Sequence, residues 1–336
     1  MEIKDITGNK AVSGEYLIVE NQLRTAKNGS NYLALKIADQ TGEIAAKVWD
    51  ADENLYQQLE AGKIIALCNI HPKLFKDQIQ LEWEAKNSGA FELVPDSKAD
   101  YSKFLPHAPG NLAEHWNYIN DTIQEINEPS LKKILTVFFD DRDFVNLFIK
   151  VPAALKRHHV YIGGLLEHTA GVAAICKAAA AYYPLVNKDL LLSGAILHDI
   201  GKTKTYKLER GFEGTDQGKL IGHLVLGVNM IERAITGLFG NRPEDAGDPV
   251  LMSLIHLLVS HHGIMEWGSP VEPLTLEACI LHHADNMDAQ VAKFLTIIRN
   301  QGHENAWAAF DPGLGRSIFL KGLPEKIEQK DLSEGA

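Results

Sequence analysis

Histidine and aspartate residues recur in the second half of this 336-residue chain, within or at the ends of apolar stretches. Five pieces contain the candidate residues, and these are Gly164–Thr169, Leu197–Lys202, Gly222–Leu224, Ser260–Gly263 and His282–Asp285. Burying an imidazole or a carboxylate without a partner costs several kcal/mol, and metal coordination removes that cost. Because five such pieces would each need a separate explanation otherwise, the pattern predicts a metal site.

The residue types indicate the kind of metal site. Mixed imidazole and carboxylate ligands suit borderline divalent cations such as Mn²⁺, Fe²⁺, Zn²⁺ and Ni²⁺. Cys68, Cys176 and Cys279 are widely spaced and form no CxxC pair, so a thiolate zinc site and a disulfide framework are disfavoured. Each cysteine is instead predicted to be a small core residue. Without thiolates, an open hydrolytic site is the stronger interpretation.

The adjacent pair His198–Asp199 precedes a glycine that can end a helix, so both side chains can point at one place. A carboxylate can bridge two metal ions, and two-metal sites clamp the attacking and leaving oxygens of a phosphate. Asp199 is therefore the predicted bridge between two ions.

Charge and hydropathy exclude several classes of protein. The formal net charge is -11 and no tract of consecutive Lys or Arg occurs, which argues against avid binding to duplex DNA. A short single strand in a locally basic groove remains compatible with this charge. The N-terminal residues contain no apolar signal core, and no run approaches about 18 apolar residues. These features predict a cytoplasmic protein without membrane association.

The length predicts two domains, since single cores rarely exceed about 250–300 residues. Residues 1–95 are rich in short stretches of β-branched and aromatic residues, which predict a small closed β-barrel of five strands. The predicted strands are Gly14–Glu20, Asn31–Asp39, Glu43–Asp50, Lys63–Ile70 and Gln78–Trp83. A short helix is predicted at Glu53–Leu59.

Residues 96–112 carry Pro, Gly, Ser and charge, and are predicted to be a linker. Apolar residues then repeat at intervals of three and four through a second domain at 113–325, and residues 326–336 form a polar tail. The predicted helices are Leu112–Ile126, Leu131–Phe139, Leu165–Tyr183, Asp189–Leu197, His223–Leu238, Pro249–Ser260 and Leu274–Arg299. Lys207–Lys219 and Gly240–Asp248 are predicted surface loops.

His168, the pair His198–Asp199 and the distant Asp285 resemble the H…HD…D signature of the HD-domain phosphohydrolase superfamily. The likeness covers residues 150–295, and the turn H-D-I-G-K agrees with it as well. This resemblance implies an all-α fold for the second domain and a metal-dependent phosphodiesterase activity.

A narrower resemblance joins the two domains. Tyr32–Trp49, with its D-Q-T-G turn, resembles OB-folds that bind nucleic acid. The second domain contains the motif His158-His159-Val-Tyr161-Ile-Gly-Gly-Leu-Leu-Glu-His168-Thr. An OB-like barrel followed by this motif resembles the YhaM-type 3′→5′ exoribonucleases. The family implies hydrolysis of single-stranded RNA, or of single-stranded DNA, from the 3′ end to nucleoside monophosphates. It also implies Mn²⁺ as the favoured ion, ahead of Fe²⁺, Ni²⁺, Zn²⁺ and Mg²⁺, and a homo-oligomer.

The resemblance extends the ligand set, because His223, His261 and His262 resemble subgroups of the superfamily that hold a second metal. The residues assigned to the first ion are His168, His198, Asp199 and Asp285. The residues assigned to the second are Asp199, His223 and His261, with His262 as a further ligand or a neighbour of one.

Catalytic roles are predicted for Asp199 and for four basic residues near the ligands. Lys202 follows the His-Asp pair at three residues and could neutralise a non-bridging phosphate oxygen. Arg157, His158 and His159 precede two glycines and could grip the substrate phosphate or protonate the leaving oxygen. A lysine that satisfies helix-end carbonyls, and a plain basic surface cluster, are equally compatible with these positions.

The barrel supplies candidate contacts for a nucleic-acid strand. Tyr32, Trp49 and Phe75 are predicted to stack on bases, while Lys36 and Lys47 are predicted to contact phosphates.

Two other functions stay open. The first is an HD phosphohydrolase of a small nucleotide or cyclic dinucleotide. The GYP element of one such subgroup is absent after His261–His262, where the sequence continues Gly-Ile-Met-Glu. The second is a noncatalytic RNA-binding scaffold, against which the complete ligand set argues.

Overall fold

The computed structural model describes residues 1–8, 10–75, 78–87, 89–155, 159–208, 211–240, 248–301 and 305–323. The chain forms two compact units, the first made mostly of Met1–Pro106 and the second beginning at His107. Within the described residues, no helix combines the length and the apolar character that crossing a membrane requires.

The first unit is a β-sheet with one short helix, α1 (Glu53–Gln58). Its strands are β1 (Val12–Thr25), β2 (Asn31–Asp39), β3 (Gly42–Trp49), β4 (Ile64–Ile70), β5 (Pro72–Phe75), β6 (Gln78–Glu84) and β7 (Phe91–Leu93). They are hydrogen-bonded in the order β5-β6-β3-β2-β1-β4-β7. Neighbouring strands are antiparallel except β3 and β6, which are parallel.

The strand pairing closes this sheet into a barrel. Only His71 separates β4 from β5, and Asn69, the second-last residue of β4, has a positive φ of 56°. This bent stretch pairs with β1 through β4 and with β6 through β5, so it joins the two ends of the row β1-β2-β3-β6. A five-stranded closed barrel of this kind is the OB fold, and the predicted fold class is therefore confirmed.

The predicted number of strands needs a correction. The five predicted strands overlap β1, β2, β3, β4 and β6, but the sheet contains seven strand segments. The fourth barrel strand is interrupted, which makes β5 a separate segment, and β7 adds to the outer side of β4. Segments of three or four residues are too short to show an alternating pattern, so the sequence did not indicate them.

Alternation along the strands places the barrel core. In β2 the fully or nearly buried residues are Leu33, Leu35 and Ile37, which lie at every second position. Val48 on β3 and Leu81 on β6 are fully buried as well. Apart from the buried Ala38, the intervening residues of β2 and β3 point outward, so this face of the barrel can carry polar and aromatic side chains.

The second unit is helical. Its helices are α2 (Leu112–Glu125), α3 (Pro129–Phe139), α4 (Arg142–Lys150), α5 (Gly164–Tyr182), α6 (Lys188–Leu197), α7 (Lys202–Thr205), α8 (Asp216–Ile221), α9 (His223–Phe239), α10 (Pro249–Ser260) and α11 (Leu276–Gln301). The seven predicted helices all appear, and α4, α7 and α8 are additions. Among the described residues of this unit, the all-α expectation holds apart from one two-stranded sheet, β8 (Tyr206–Leu208) and β9 (Phe212–Gly214).

The two predicted loops and the predicted linker can be compared with the structure to different extents. Lys207–Lys219 contains strand residues and α8, so its prediction as a plain loop was wrong. The part of Gly240–Asp248 at 241–247 lies outside the described residues. The segment predicted as a linker contains two single-turn 3₁₀ helices, Asp96–Lys98 and Tyr101–Phe104, and Phe104 is buried.

Helices α5 and α6 lie in the middle of the helical core. Every residue of α6 from Leu190 to Leu197 is buried, and so are nine residues of α5. The Asn187 side chain caps α6 by accepting a hydrogen bond from the Leu190 amide at 3.1 Å. A polar side chain on these two helices therefore lies deep in the domain, away from bulk water.

The cysteines are all free, as expected, but only one of them is a core residue. Cys176 on α5 is fully buried, whereas Cys68 on β4 and Cys279 on α11 are exposed. The prediction that all three lie in the core was therefore wrong. Side-chain direction depends on the position within a strand or helix, and residue type alone does not report it.

Candidate metal centre

Five separate parts of the helical unit bring the predicted metal ligands to one place. The ligands are His168 in α5, His198 and Asp199 directly after α6, His223 at the start of α9, His261 and His262 directly after α10, and Asp285 in α11. Most of these positions are at helix ends, where a side chain can be aimed without distorting the helix. The sequence-distant pieces therefore form a single cluster.

Asp199 lies at the centre of this cluster and is buried, with 2% of its surface exposed. Its Oδ2 lies 3.2 Å from His198 Nε2 and 3.4 Å from His168 Nε2. Its Oδ1 lies 3.5 Å from His223 Nε2 and 3.7 Å from His261 Nε2. The two oxygens of one carboxylate thus face two different groups of imidazoles, which is the arrangement of a bridging ligand.

Ring nitrogens face one another within each group. His168 Nε2 lies 3.2 Å from His198 Nε2 and 3.1 Å from Asp285 Oδ1. In the other group, His223 Nε2 lies 3.2 Å from His262 Nε2. Two nitrogen lone pairs at this separation repel each other unless a proton or a cation lies between them.

Hydrogen bonds from the opposite ring nitrogen, Nδ1, fix the orientation and the tautomer of three of the imidazoles. His198, His261 and His262 each donate from Nδ1 to a main-chain carbonyl oxygen, at 2.9, 2.8 and 2.8 Å. A neutral imidazole that carries its proton on Nδ1 has its lone pair on Nε2. Since hydrogen bonds of this kind typically orient histidine ligands of metals, all three rings are prepared to bind a cation through Nε2.

The cluster fits a divalent metal on two further observations. Asp199 Oδ1 and His261 Nε2 are buried and have no hydrogen-bond partner among the described residues. Leaving such acceptors unsatisfied costs about 1–3 kcal/mol each, and a bound cation would satisfy both. Three carboxylates, those of Asp199, Asp285 and Asp288, also lie at the centre, where Lys202 forms an ion pair with Asp199.

The electrostatics of the groups agree with a centre that stabilises positive charge. Burial lowers the pKa of His168, but hydrogen bonds to carboxylates, including Asp199 and Asp285, outweigh this and raise it well above its usual value. Burial raises the pKa of Asp199, but the charge of Lys202 and its imidazole contacts hold it well below the usual range. Burial lowers the pKa of His223 to about 3, which keeps this imidazole neutral and able to coordinate.

The centre opens into a cavity of about 690 Å³. Asp199, Lys202, His262 and Asp285 contribute to its lining. The Lys202 Nζ lies 2.5 Å from Asp199 Oδ2, so this ammonium group is held next to the proposed ligands and faces the cavity. A cavity of this size admits a small-molecule or nucleotide-sized ligand.

Gly201 allows the His198–Asp199 turn and the start of α9 to lie in close contact. A Cβ on Gly201 would lie 2.0 Å from the His223 carbonyl oxygen, so only glycine lets the His198–Asp199 turn pack against the start of α9. The glycine of the H-D-I-G-K turn therefore sets the distance between Asp199 and His223.

The structure places His159, one of the three predicted substrate-gripping residues, apart from the open cavity. His159 is buried, and its ring centroid lies 5.6 Å from that of His168. It lines a second cavity of about 200 Å³ rather than the open cavity beside Lys202. Arg157 and His158 lie outside the described residues.

Asp288 is a residue of the centre that the sequence did not single out. Its Oδ2 lies 2.6 Å from His168 Nδ1, on the side of the ring away from the cluster. Asp288 follows Asp285 by three residues in α11, so the two carboxylates lie on the same face of the helix. That spacing is the signal that would have identified it.

The barrel brings together four of its five predicted contact residues. Tyr32 and Trp49 are cross-strand partners with ring centroids 5.0 Å apart. The Lys47 Nζ lies 5.7 Å from the centroid of Trp49 and 4.5 Å from that of Phe75. Lys36 instead forms salt bridges with Glu20 and Glu43, at 2.9 and 3.3 Å.

Known proteins match part of the second unit and, more widely, most of the chain. The HD-domain family model matches residues 165–290. The 3′-5′ exoribonuclease YhaM of Bacillus licheniformis is 34% identical over 280 residues, which cover 82% of this chain and 84% of that protein. YhaM of Bacillus subtilis is 32% identical over 281 residues, with 82% and 84% covered.

Two solved structures resemble part of the chain. An OB domain from Thermoplasma acidophilum has a TM-score of 0.23 and 16% identity, and covers 28% of this chain and 85% of its own. A replication protein A heterotrimer bound to ssDNA has a TM-score of 0.24 and 12% identity, and covers 30% of this chain and 26% of its own. Scores this low carry no argument, so the barrel assignment rests on the strand pairing. Identity above 30% across most of both sequences shows that the chain belongs to the YhaM family of 3′–5′ exoribonucleases.

Proposed function

We propose that this chain is a metal-dependent 3′→5′ exoribonuclease that hydrolyses single-stranded RNA to nucleoside monophosphates. The observation that carries the proposal is the position of Asp199. Its two carboxylate oxygens face two separate groups of imidazoles, and the residue lines an open cavity. Family membership supplies the substrate class, because the relatives are named 3′-5′ exoribonucleases.

Two ions, with Mn²⁺ as the first choice, are proposed to occupy the cluster. The proposed ligands of one ion are His168, His198, Asp199 and Asp285, and those of the other are Asp199, His223, His261 and His262. Bound divalent metals lower the pKa of water toward neutrality and offset the charge of phosphoryl oxygens. His262 belongs with the ligands in this proposal because its Nε2 lies 3.2 Å from that of His223 and its Nδ1 is held by a carbonyl oxygen.

Lys202 is proposed to act on the substrate directly. Lys202 is 8% exposed and lines the cavity wall, and its partner Asp199 keeps it charged by raising its pKa against the effect of burial. A positive charge that is already in place stabilises negative charge on phosphate oxygens without reorganising. His159 lies behind His168 and is proposed to support that ligand rather than to contact the substrate.

The barrel is proposed to hold the body of the strand. Tyr32, Trp49 and Phe75, with Lys47 between the last two, combine stacking surfaces with a cation, as single-strand-binding OB folds do. Lys36 contributes less in this proposal because two glutamates offset its charge. Single-stranded DNA as a substrate and assembly into a homo-oligomer remain predictions.

The central test uses RNA of defined ends. A 5′-labelled single-stranded RNA is incubated with Mn²⁺ or with EDTA, once with a free 3′ hydroxyl and once with a blocked 3′ end. We expect a ladder that shortens from the 3′ end, only with a free end and only with metal. Inertness toward RNA together with cleavage of cyclic dinucleotides or nucleoside phosphates would instead favour the small-nucleotide phosphohydrolase.

A variant pair tests the ligand assignment. Asp199→Ala should lose RNA hydrolysis and Mn²⁺ binding together, as measured by titration calorimetry, because both ion positions share this carboxylate. Asp121→Ala, an exposed residue of α2, is the matched control and should retain both. Unchanged hydrolysis with Asp199→Ala would contradict a metal-dependent reaction at this centre and favour a noncatalytic role for the cluster.

A further inference from the structure

The open cavity beside Lys202 has an aromatic wall that the metal centre does not explain. Among its described lining residues, Trp267 is the one Phe, Tyr or Trp side chain, and 53% of its surface is exposed. Trp267 ends a single-turn 3₁₀ helix, Met265–Trp267, in the segment that follows His261 and His262. A large aromatic side chain left half-exposed inside a functional cavity is a candidate for contact with a ligand.

The backbone around Trp267 is held by a set of hydrogen bonds. The Trp267 amide donates to the Ile264 carbonyl oxygen at 3.1 Å, and the Gly268 amide donates to that of Met265 at 2.8 Å. Ser269, which is 3% exposed, donates from its amide to the Ile264 carbonyl oxygen at 3.2 Å. The main chain that carries the indole is therefore ordered before any ligand arrives, which lowers the entropic cost of binding.

The same turn connects the indole to the metal centre. The Trp267 carbonyl oxygen accepts the hydrogen bond from His262 Nδ1 at 2.8 Å. The Trp267 ring centroid lies 6.1 Å from that of His282, whose Nδ1 donates to the His261 carbonyl oxygen at 2.9 Å. A planar group stacked on this indole would thus lie beside the proposed ligands, with its attached phosphate close to them.

The other side of the cavity is polar. Asp285, Asn286, Gln290 and Lys293 line it from one face of α11, at spacings of one, four and three residues. Amide groups and an ammonium suit a sugar and its phosphates, whereas the indole suits a base. The cavity thus offers one aromatic wall and one polar wall to a nucleotide.

We propose that Trp267 is the platform on which the base of the 3′-terminal nucleotide stacks during hydrolysis. This inference rests on the proposed exoribonuclease function and adds a base-binding subsite to it. Because every base has a π-face, such a platform accepts all four terminal nucleotides, which suits an enzyme that must continue along any sequence.

The test compares substitutions that leave the main-chain carbonyl in place. Trp267→Leu should lower kcat/KM for single-stranded RNA by about one to two orders of magnitude, whereas Trp267→Phe should retain most of it. RNA whose 3′-terminal residue is abasic should be cleaved equally by the wild type and by Trp267→Leu. Trp307→Leu is the matched control, since Trp307 is 60% exposed and does not line the cavity, and it should behave as wild type.

Two further measurements separate stacking from an indirect effect through His262. Trp267→Leu should bind Mn²⁺ with wild-type affinity in titration calorimetry. RNA with 2-aminopurine at the 3′ terminus and a hydrolysis-resistant methylphosphonate as its last linkage should lose fluorescence on binding the wild type, and much less on binding Trp267→Leu.

Weakened Mn²⁺ binding together with an equal loss on the abasic RNA would overturn the stacking role. Equal 2-aminopurine quenching by the wild type and by Trp267→Leu would overturn it as well. If the wild type degrades no RNA, the proposed function fails, while the quenching experiment still decides whether Trp267 receives the terminal base.

Discussion

The imidazole of His168 is held from behind by the carboxylate of Asp288, with 2.6 Å between Nδ1 and Oδ2. The opposite ring nitrogen, Nε2, faces Asp199 and Asp285 at 3.4 and 3.1 Å. A carboxylate that accepts from one nitrogen of a histidine makes the other nitrogen a better metal ligand and fixes the ring. Asp288 is thus a positioning residue for a proposed ligand, although it does not touch the cavity beside Lys202.

Asp288→Ala should weaken Mn²⁺ binding by about 10- to 100-fold, because His168 loses the partner that orients it. Asp288→Asn should have a smaller effect, since the amide oxygen can still accept from Nδ1. Titration calorimetry with Mn²⁺ measures both, with the exposed Asp121→Ala as the control. If the affinity stays at the wild-type level in Asp288→Ala, the contact does not support the ligand.

Gly171 makes room for Asp288, and this predicts opposite effects for two helix glycines. A Cβ on Gly171 in α5 would lie 2.2 Å from Asp288 Oδ1, whereas a Cβ on Gly237 in α9 would meet nothing within 4 Å. Gly171→Ala should therefore lower both the free energy of unfolding and the Mn²⁺ affinity. Gly237→Ala should raise the free energy of unfolding by about 0.5–1 kcal/mol, because alanine loses less backbone entropy. Urea unfolding with and without Mn²⁺ measures these changes, and equal shifts in the two variants would contradict the packing described.

Lys202→Met should lower kcat on RNA by on the order of 10²-fold while Mn²⁺ remains bound, because the ammonium group acts on phosphate charge in the transition state. Lys202→Arg should restore part of the rate, since it keeps the charge. Lys204→Met is the control, because Lys204 is exposed on the same short helix, α7. Steady-state kinetics on a short RNA measures kcat and KM, and loss of Mn²⁺ from Lys202→Met would show that the lysine only holds Asp199.

The three thiols should react at different rates. Burial raises the pKa of Cys176 to about 12, so at pH 8 this residue is a buried thiol, whereas Cys68 and Cys279 are exposed. The thiolate is the reactive form, so DTNB should label two cysteines quickly and the third only on unfolding. The double variant Cys68→Ser/Cys279→Ser should show no fast labelling. Because Cys176 lies two turns after His168 in α5, rapid labelling of all three thiols would mean that the helix carrying this ligand is not packed as described.

The residue types of the metal centre were evident in the sequence, because imidazoles and carboxylates inside apolar stretches need partners wherever they are buried. His168, His198, Asp199 and Asp285 could be named for this reason, and the structure brings them within hydrogen-bonding range of one another. The long helices and strands were equally predictable, since an apolar pattern repeats many times along each of them.

Elements of only three or four residues were not predictable in this way. The four-residue β5 and the single turn that carries Trp267 contain too few residues for a periodic pattern, and their shape depends on the strands and helices they contact.

Sequence order alone determined that this chain has a barrel, a helical domain and a set of metal-binding residue types, since periodicity and side-chain chemistry are local properties. Only the tertiary structure decided that the two oxygens of Asp199 face different imidazoles, that Asp288 lies behind His168, and that Trp267 faces the cavity. Those relationships join residues up to 120 positions apart, and their distances follow from how the helices pack. The local sequence pattern does not determine such distances. The roles of Asp288 and Trp267 could therefore be identified only from the packing of the helices.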